Sequence, residues 1–130
     1  MTLSAQGTLA IGDVDTYVAL LNGNCPIVYE DSWAVNSMEV DGDTVHVVFQ
    51  TPSSLAGFLP QLTGDGDNFK RMWVRQLKTF GYPWADFFRR MAEAGRTLVI
   101  TFQPKDSRKI STQVFYPEDY AALSDVIYDE

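Results

Sequence analysis

The side chains best suited to covalent chemistry are a single cysteine, Cys25, and a single histidine, His46. A nucleophilic thiol needs a base within hydrogen-bond reach and a lowered pKa, usually from a helix N-terminus or a nearby cation. Cys25 instead follows a predicted helix and precedes Pro26, and residues 1–69 contain no Lys or Arg. We therefore expect Cys25 to be a small packed residue beneath that helix and His46 to be a half-exposed strand residue.

The sequence offers little for a metal or phosphate site. One cysteine and one histidine cannot form a transition-metal site without several carboxylates. Residues 64–68 have the composition of a calcium loop, but residues 69–71 place apolar and cationic side chains at the later ligand positions. We expect a turn and a helix cap there, with a weak cation at Asp65 and Asp67 as the alternative. We predict no catalytic residue, no metal ligand and no cofactor.

The seventeen acidic and ten basic residues are segregated along the chain. Residues 1–69, 70–109 and 110–130 carry net charges of −9, +7 and −5, within a total of −7. A basic helical layer beside an acidic sheet layer would explain this pattern, and such exposed ion pairs contribute only about 0–1 kcal/mol each. The alternative is a docking face for a charged partner. The candidate partner-binding residues are Glu30, Asp31, Glu39, Asp41, Asp43, Arg71, Arg75 and Lys78.

Composition excludes several classes of protein. An apolar fraction of 45% excludes a disordered chain, and the length of 130 residues predicts a single domain. The sequence pI of about 4.5 argues against nucleic acid as a partner. No stretch approaches the roughly 20 apolar residues of a membrane span. Residues 1–11 lack the regions of an intact signal peptide and could be extended. An extracytoplasmic location is therefore expected if a signal was removed, and a cytoplasmic one otherwise.

A helix and an extended segment are predicted first. The helix covers residues 13–21, with Asp13 as its N-cap. Its apolar residues recur at helical spacing and are Val14, Tyr17, Val18 and Leu21. Residues 25–29 then form an extended segment, in which Pro26 suits a strand start or a sheet edge.

A β-hairpin is predicted next, with strands over residues 33–40 and 44–50. The dipeptide Asp41-Gly42 favours a two-residue turn, which would pair Met38 with Val45. The buried face then contains Met38, Val45, Val47 and Phe49. A three-residue turn would shift the pairing and turn these side chains to the other face.

Two amphipathic helices give the clearest pattern, over residues 69–80 and 84–94. The connection over residues 51–68 is expected to be a packed cover with one helical turn. The first helix is predicted to bury Phe69, Met72, Trp73, Gln76, Leu77 and Phe80, and to expose a basic stripe of Arg71, Arg75 and Lys78. The second is predicted to bury Trp84, Phe87, Phe88 and Met91.

A second hairpin, over residues 96–103 and 109–116, and a short helix over residues 117–123 complete the chain. The predicted order is α-β-β-α-α-β-β-α. This order indicates an α+β fold with an antiparallel sheet of about four strands, formed by two hairpins, and with helices packed on one face. Six aromatic residues could line a cavity between the layers, although a filled core explains them better. They are Trp33, Phe58, Trp73, Tyr82, Trp84 and Phe88.

Several segments resemble a family of small, uncharacterised bacterial domains that are mostly secreted or associated with the envelope. Residues 21–27 (LNGNCPI) place an Asn-x-x-x-Pro segment before a hairpin, and residues 37–40 (SMEV) precede its DG turn. Residues 95–100 (GRTLVI) and 116–120 (YPEDY) are similar to the post-helix strand and the closing turn of that family. The resemblance implies an α+β domain of unknown activity, with no catalytic residues to carry over.

The sequence therefore favours a non-enzymatic module that binds another protein. A more specific version is a small acidic inhibitor or immunity-type protein that neutralises a basic partner. The competing hypothesis is a small-molecule-binding or enzymatic domain built around the aromatic cavity. The sequence carries no indication of oligomeric state.

Overall fold

The computed structural model describes residues 13–30, 32–57 and 67–120, with side chains described from residue 70 onward in the last range. The elements in chain order are α1 (Val14–Gly23), β1 (Ile27–Glu30), β2 (Trp33–Asp41), β3 (Thr44–Thr51), a 3-10 turn (Ser53–Leu55), α2 (Asp67–Phe80), α3 (Trp84–Ala94), β4 (Thr97–Pro104) and β5 (Ser111–Phe115). Residues 117–120 are also helical. The turn at Ser53–Leu55 agrees with the helical turn expected in the connection, while residues 1–12, 58–66 and 121–130 lie outside the described residues.

The described strands form one mixed sheet in the order β1-β2-β3-β4-β5. Its architecture is α+β as predicted, but the antiparallel sheet of about four strands is wrong in two respects. Residues 27–30 join the sheet as a fifth, edge strand, and β3 pairs with β4 in parallel. The parallel pair arises because the chain between β3 and β4 returns through α2 and α3, which is the crossover that parallel neighbours require.

The β2–β3 hairpin turns at Gly42 and Asp43, one residue later than predicted, so Met38 pairs with Val47 instead of Val45. This correction shifts the register by two residues. A shift of two keeps every side chain on its own face, so the predicted buried face of Met38, Val45, Val47 and Phe49 is confirmed. The register changes again between Val35 and Ser37, at an irregularity that the alternating pattern did not predict.

The helices cover one face of the sheet. Asp13 caps α1 by accepting a hydrogen bond from the Asp15 backbone N–H at 3.0 Å, as expected. Helix α3 buries the predicted residues and ends at Gly95, whose φ of +66° favours glycine. Helix α2 is rotated from the prediction. It buries Trp73, Val74 and Leu77 and exposes Met72 and Gln76, because Val74 completes the apolar stripe.

Phe49 lies at the centre of the hydrophobic core. Its ring centroid is 5.8 to 6.0 Å from those of Trp33, Phe80, Trp84 and Phe102. One core cluster therefore joins strands β2, β3 and β4 to helices α2 and α3. The opposite face of the sheet carries exposed His46 and half-buried residues such as Val48 and Val99.

Candidate functional site

Cys25 and His46 lie on opposite faces of the sheet and do not form a catalytic couple. The Cys25 thiol donates to the Leu21 carbonyl at 3.4 Å, and burial raises the pKa of this thiol. The His46 ring lies on the open face, 3.8 Å from a carboxylate oxygen of Asp41, and is 46% exposed. Both positions agree with the sequence-based expectation. A thiol with a raised pKa and no base beside it among the described residues is a poor nucleophile.

The best-connected polar cluster ties α1 to α3. The Tyr17 hydroxyl donates to Asp86 Oδ2 at 2.9 Å, and Arg90 Nε donates to the same oxygen at 2.8 Å. Burial and this hydrogen bond raise the pKa of Tyr17. Burial alone would raise the pKa of Asp86, but the bonds from Arg90 and Tyr17 outweigh it and lower that pKa. Every partner in the cluster is satisfied, so it holds two helices together and offers no reactive group.

The acidic candidates do not form one patch. Glu30 ends β1 beside the start of β2, whereas Asp41 and Asp43 flank the turn at the far end of β2. The two ends of this nine-residue strand lie about 27 Å apart. Glu39 lies near the turn, at the strand position opposite His46 in β3. Asp31 lies outside the described residues.

An open groove runs between α1 and the second half of β2. It is lined by Asp15, Val18, Ala19, Asn22, Met38, Glu39 and Val40, and its volume is about 390 Å³. Its apolar residues come from both elements, Asp15 contributes an acidic residue from α1, and Glu39 lies on the β2 strand that forms the other side. We call this feature the α1–β2 groove.

Arg96 connects the groove to the acidic turn. Its Nη1 lies 2.9 Å from Asp15 Oδ1 and 3.4 Å from the carbonyl oxygen of Gly42. This guanidinium neutralises Asp15 in part, but it forms no ion pair within 4 Å with Glu39, Asp41 or Asp43 of the described chain. The neighbourhood of the groove therefore keeps a negative surface charge.

The basic candidates lie on the outer face of α2. Arg71 and Arg75 are exposed beside Met72, Gln76 and Thr79, and no described carboxylate lies within ion-pair distance of either arginine. Lys78 departs from the predicted stripe, because it is half-buried and its Nζ is enclosed. The exposed part of the basic stripe is therefore Arg71 and Arg75.

The aromatic residues mostly pack against one another. Trp73, Trp84 and Phe88 are at most 2% exposed, and Trp84 lies 5.5 Å from Phe88 between ring centroids. Tyr82 is exposed, and Phe58 lies outside the described residues. The three buried rings line neither the α1–β2 groove nor the surface beside Arg71 and Arg75. Packing of this kind favours the interpretation of these residues as core.

The described residues show no metal-ligand cluster and no membrane-spanning helix. Among them, no group of three or more His, Cys, Asp or Glu side chains is arranged to hold a metal ion. None of the described helices is long and apolar enough to cross a membrane. Asp65, one of the two residues of the alternative cation site, and the side chain of Asp67 lie outside the described residues.

Comparison with known proteins identifies the fold but no family. No protein-family model matches the sequence, and no curated protein matches it significantly. A protein assigned as secreted from Pseudomonas aeruginosa superposes with a TM-score of 0.57 at 11% identity, over 82% of this chain and 88% of that one.

Two pilotins of type II secretion systems share the fold at the same 11% identity. The pilotin of Vibrio vulnificus has a TM-score of 0.55 and that of Vibrio cholerae 0.51, each over 82% of this chain and 87% of the other. The resemblance to small bacterial α+β domains is thus supported at the level of the fold.

Sequence reasoning found Glu39 and the turn acids but missed the groove itself. Of the other lining residues, Val18 and Met38 were expected on the apolar faces of the helix and the hairpin. One pattern could have indicated the groove: the segment after Pro26 is too short to cover the following strand. A strand whose neighbour is half its length must leave part of its edge open.

Proposed function

We propose that this protein is a non-enzymatic interaction module that binds a basic segment of a partner protein in the α1–β2 groove. The observation that carries the proposal is the groove itself, which combines an apolar lining with the acidic residues Asp15 on α1 and Glu39 on β2. Asp41 and Asp43 extend the negative surface at its end. Apolar contact with charge around it is typical of protein-binding surfaces.

Charge supports a basic polypeptide over other occupants. The chain carries a net charge of −7, and Glu39 and Asp41 are exposed without a described Lys or Arg in ion-pair contact. Such a surface repels phosphate and attracts lysine and arginine. This is the chemistry of the acidic inhibitor hypothesis, which keeps Glu39, Asp41 and Asp43, adds Asp15 and leaves out Glu30.

The comparisons support an extracytoplasmic role. The secreted protein and the two pilotins named above share this fold. We therefore place the protein in the bacterial envelope or outside the cytoplasm, where it would bind another protein.

A binding experiment tests the proposed groove. The probe is a labelled short peptide that alternates lysine with valine, titrated at low and at high salt. We expect its affinity to fall at least roughly tenfold as salt screens the carboxylates. Glu39→Lys should weaken binding roughly three- to tenfold at low salt.

Glu30→Lys provides the matched control, because it makes the same change of charge on an exposed residue at the other end of β2. Its affinity should stay close to that of the unmodified protein. Equal losses in the two variants would show a non-specific charge effect, and binding that ignores both salt and Glu39→Lys would contradict the proposal.

A further inference from the structure

We propose that the segment bound in the α1–β2 groove is extended and pairs as an added strand with the free edge of β2 at Val40. This inference rests on the proposed function and specifies the conformation and residue pattern of the partner. It begins with unequal strand lengths, since β1 has four residues and β2 has nine. β1 pairs only with Trp33, Ala34 and Val35, so no described strand borders Ser37–Asp41 on that side.

The orientation of the β2 backbone follows from one hydrogen bond. The Met38 backbone N–H donates to Asn22 Oδ1 at 3.0 Å, so it points away from β3 and toward α1. In a strand, the backbone groups of residues two apart point the same way. Val40 therefore also directs its N–H and carbonyl away from β3, into the groove that its side chain helps to line.

The length of the free edge is limited at both ends. Asn22 already occupies the Met38 donor, and the turn begins after Asp41. An incoming strand can bond the Met38 carbonyl and both backbone groups of Val40. A ladder this short gives little affinity alone, so the side chains of the partner must contribute.

The two faces of β2 specify those side chains. Met38 and Val40 point toward the helical layer, where Ala19 completes an apolar surface. Glu39 and Asp41 point to the open face. Side chains of a strand alternate between faces, so the added strand should alternate apolar residues toward α1 with lysine or arginine beside Glu39 and Asp41.

The sharpest variant is Val40→Pro. Proline removes a backbone N–H that β3 does not use, and it is tolerated on strand edges whose N–H side faces outward. We expect Val40→Pro to fold, to keep the salt dependence of any residual binding, and to lose at least tenfold in affinity for the alternating lysine–valine peptide. Val40→Thr keeps the N–H and a β-branched side chain, so its affinity should stay within about threefold of the parent.

A second probe keeps the inference testable if Val40→Pro does not fold. N-methylation of the same peptide on the backbone edge that faces β2 should abolish binding, whereas N-methylation on its other edge should not. Full binding by both methylated peptides, or by Val40→Pro, would overturn the strand-addition inference.

The outcomes separate this inference from the proposed function. A lysine-rich helical peptide that binds the Val40→Pro variant normally but fails on Glu39→Lys would leave the groove as a binding site and reject the added strand. A peptide that binds all variants equally would reject both proposals.

Discussion

Asp86 is a carboxylate that links two helices, α1 and α3. Its side chain accepts hydrogen bonds from Tyr17 on α1 and from Arg90 on its own helix, and Arg89 also contacts it. The Arg90 guanidinium in turn lies 4.6 Å from the centroid of the Tyr17 ring. The Tyr17–Asp86 hydrogen bond joins residues of two different helices that are 69 residues apart in sequence, so it helps to fix the position of α1 on α3.

Acid should weaken this contact. The pKa of Asp86 is lowered in the folded protein despite its partial burial, because the bonds from Arg90 and Tyr17 favour the carboxylate. The stabilisation is therefore present above the unfolded carboxyl pKa of about 3.9 and disappears as the pH falls through the lower folded value. Because the side chain is 41% exposed, solvent screening limits the effect of Asp86→Asn at pH 7 to about 1 kcal/mol.

Urea denaturation between pH 7 and pH 2 measures this effect. The loss of stability caused by Asp86→Asn should shrink toward the acid end, as the native carboxylate takes up a proton. Glu30→Gln is the control, since Glu30 is exposed and forms no described ion pair. A constant difference between Asp86→Asn and the parent protein across the whole pH range would contradict the assignment.

For individual residues, the sequence correctly indicated that Cys25 and His46 do not form a catalytic couple. The roles of Cys25 and His46 followed from their neighbours in the chain, since a proline and a lack of cations already argued against a reactive thiol. The partnership of Tyr17 with Asp86 could not be predicted, because the two are 69 residues apart. No local pattern reports which helix faces meet.

At the scale of the elements, helix α2 carries both exposed and enclosed basic residues, whose contributions to stability can be compared. Arg71 and Arg75 are exposed and lie one turn apart, and no described acid pairs with either. The double variant Arg71→Glu with Arg75→Glu should change the free energy of unfolding by less than about 1 kcal/mol, because isolated surface charges contribute little.

Lys78→Glu on the same helix is the contrasting variant. The Nζ of Lys78 is enclosed, so a carboxylate there should destabilise the protein by more than the double arginine variant does. Denaturant midpoints with unchanged slopes would measure both. A loss of several kcal/mol in the arginine variant would show that this face is covered in solution.

Helix boundaries and the faces of β3 were predictable, whereas the rotation of α2 and the pairing of β3 with β4 were not. Hydrophobic spacing predicts a helix and its approximate apolar side. In α2, however, Val74 is buried in the core, whereas Met72 and Gln76 are exposed. The alternation in β3 defines its faces and carries no information about the direction of its neighbour. The hairpin turn was misplaced by one residue because both Asp-Gly and Gly-Asp suit tight turns.

For the whole molecule, Phe49 is the residue on which the layers converge. It is fully buried, and its ring contacts those of both helical and strand residues. Phe49→Ala should lower the free energy of unfolding by about 3–5 kcal/mol, since it removes a large side chain from a packed core. Val28→Ala is the control, because Val28 is 61% exposed and its loss should cost less than about 0.5 kcal/mol.

Calorimetry or urea denaturation would compare the two variants. Similar small losses would mean that the core relaxes around the missing ring.

The candidate site also depends on the whole molecule. The α1–β2 groove lies between a helix and the end of a strand whose neighbour stops early, and only the assembled fold brings Asp15 beside Val40. This is why the sequence predicted acidic residues but not the groove between them.

The parallel pairing of β3 with β4 also affects how the chain folds while it is being synthesised. Thr44 pairs with Thr97, 53 positions later in the sequence, so the two central strands can meet only once most of the chain has been made. A nascent chain that has reached residue 57 already carries the apolar face of Val45, Val47 and Phe49, yet the helices α2 and α3 and the neighbouring strand β4 do not exist. Distant pairing of this kind slows folding and prolongs exposure to aggregation. We therefore expect newly made protein to need a holding chaperone until residue 104 has emerged.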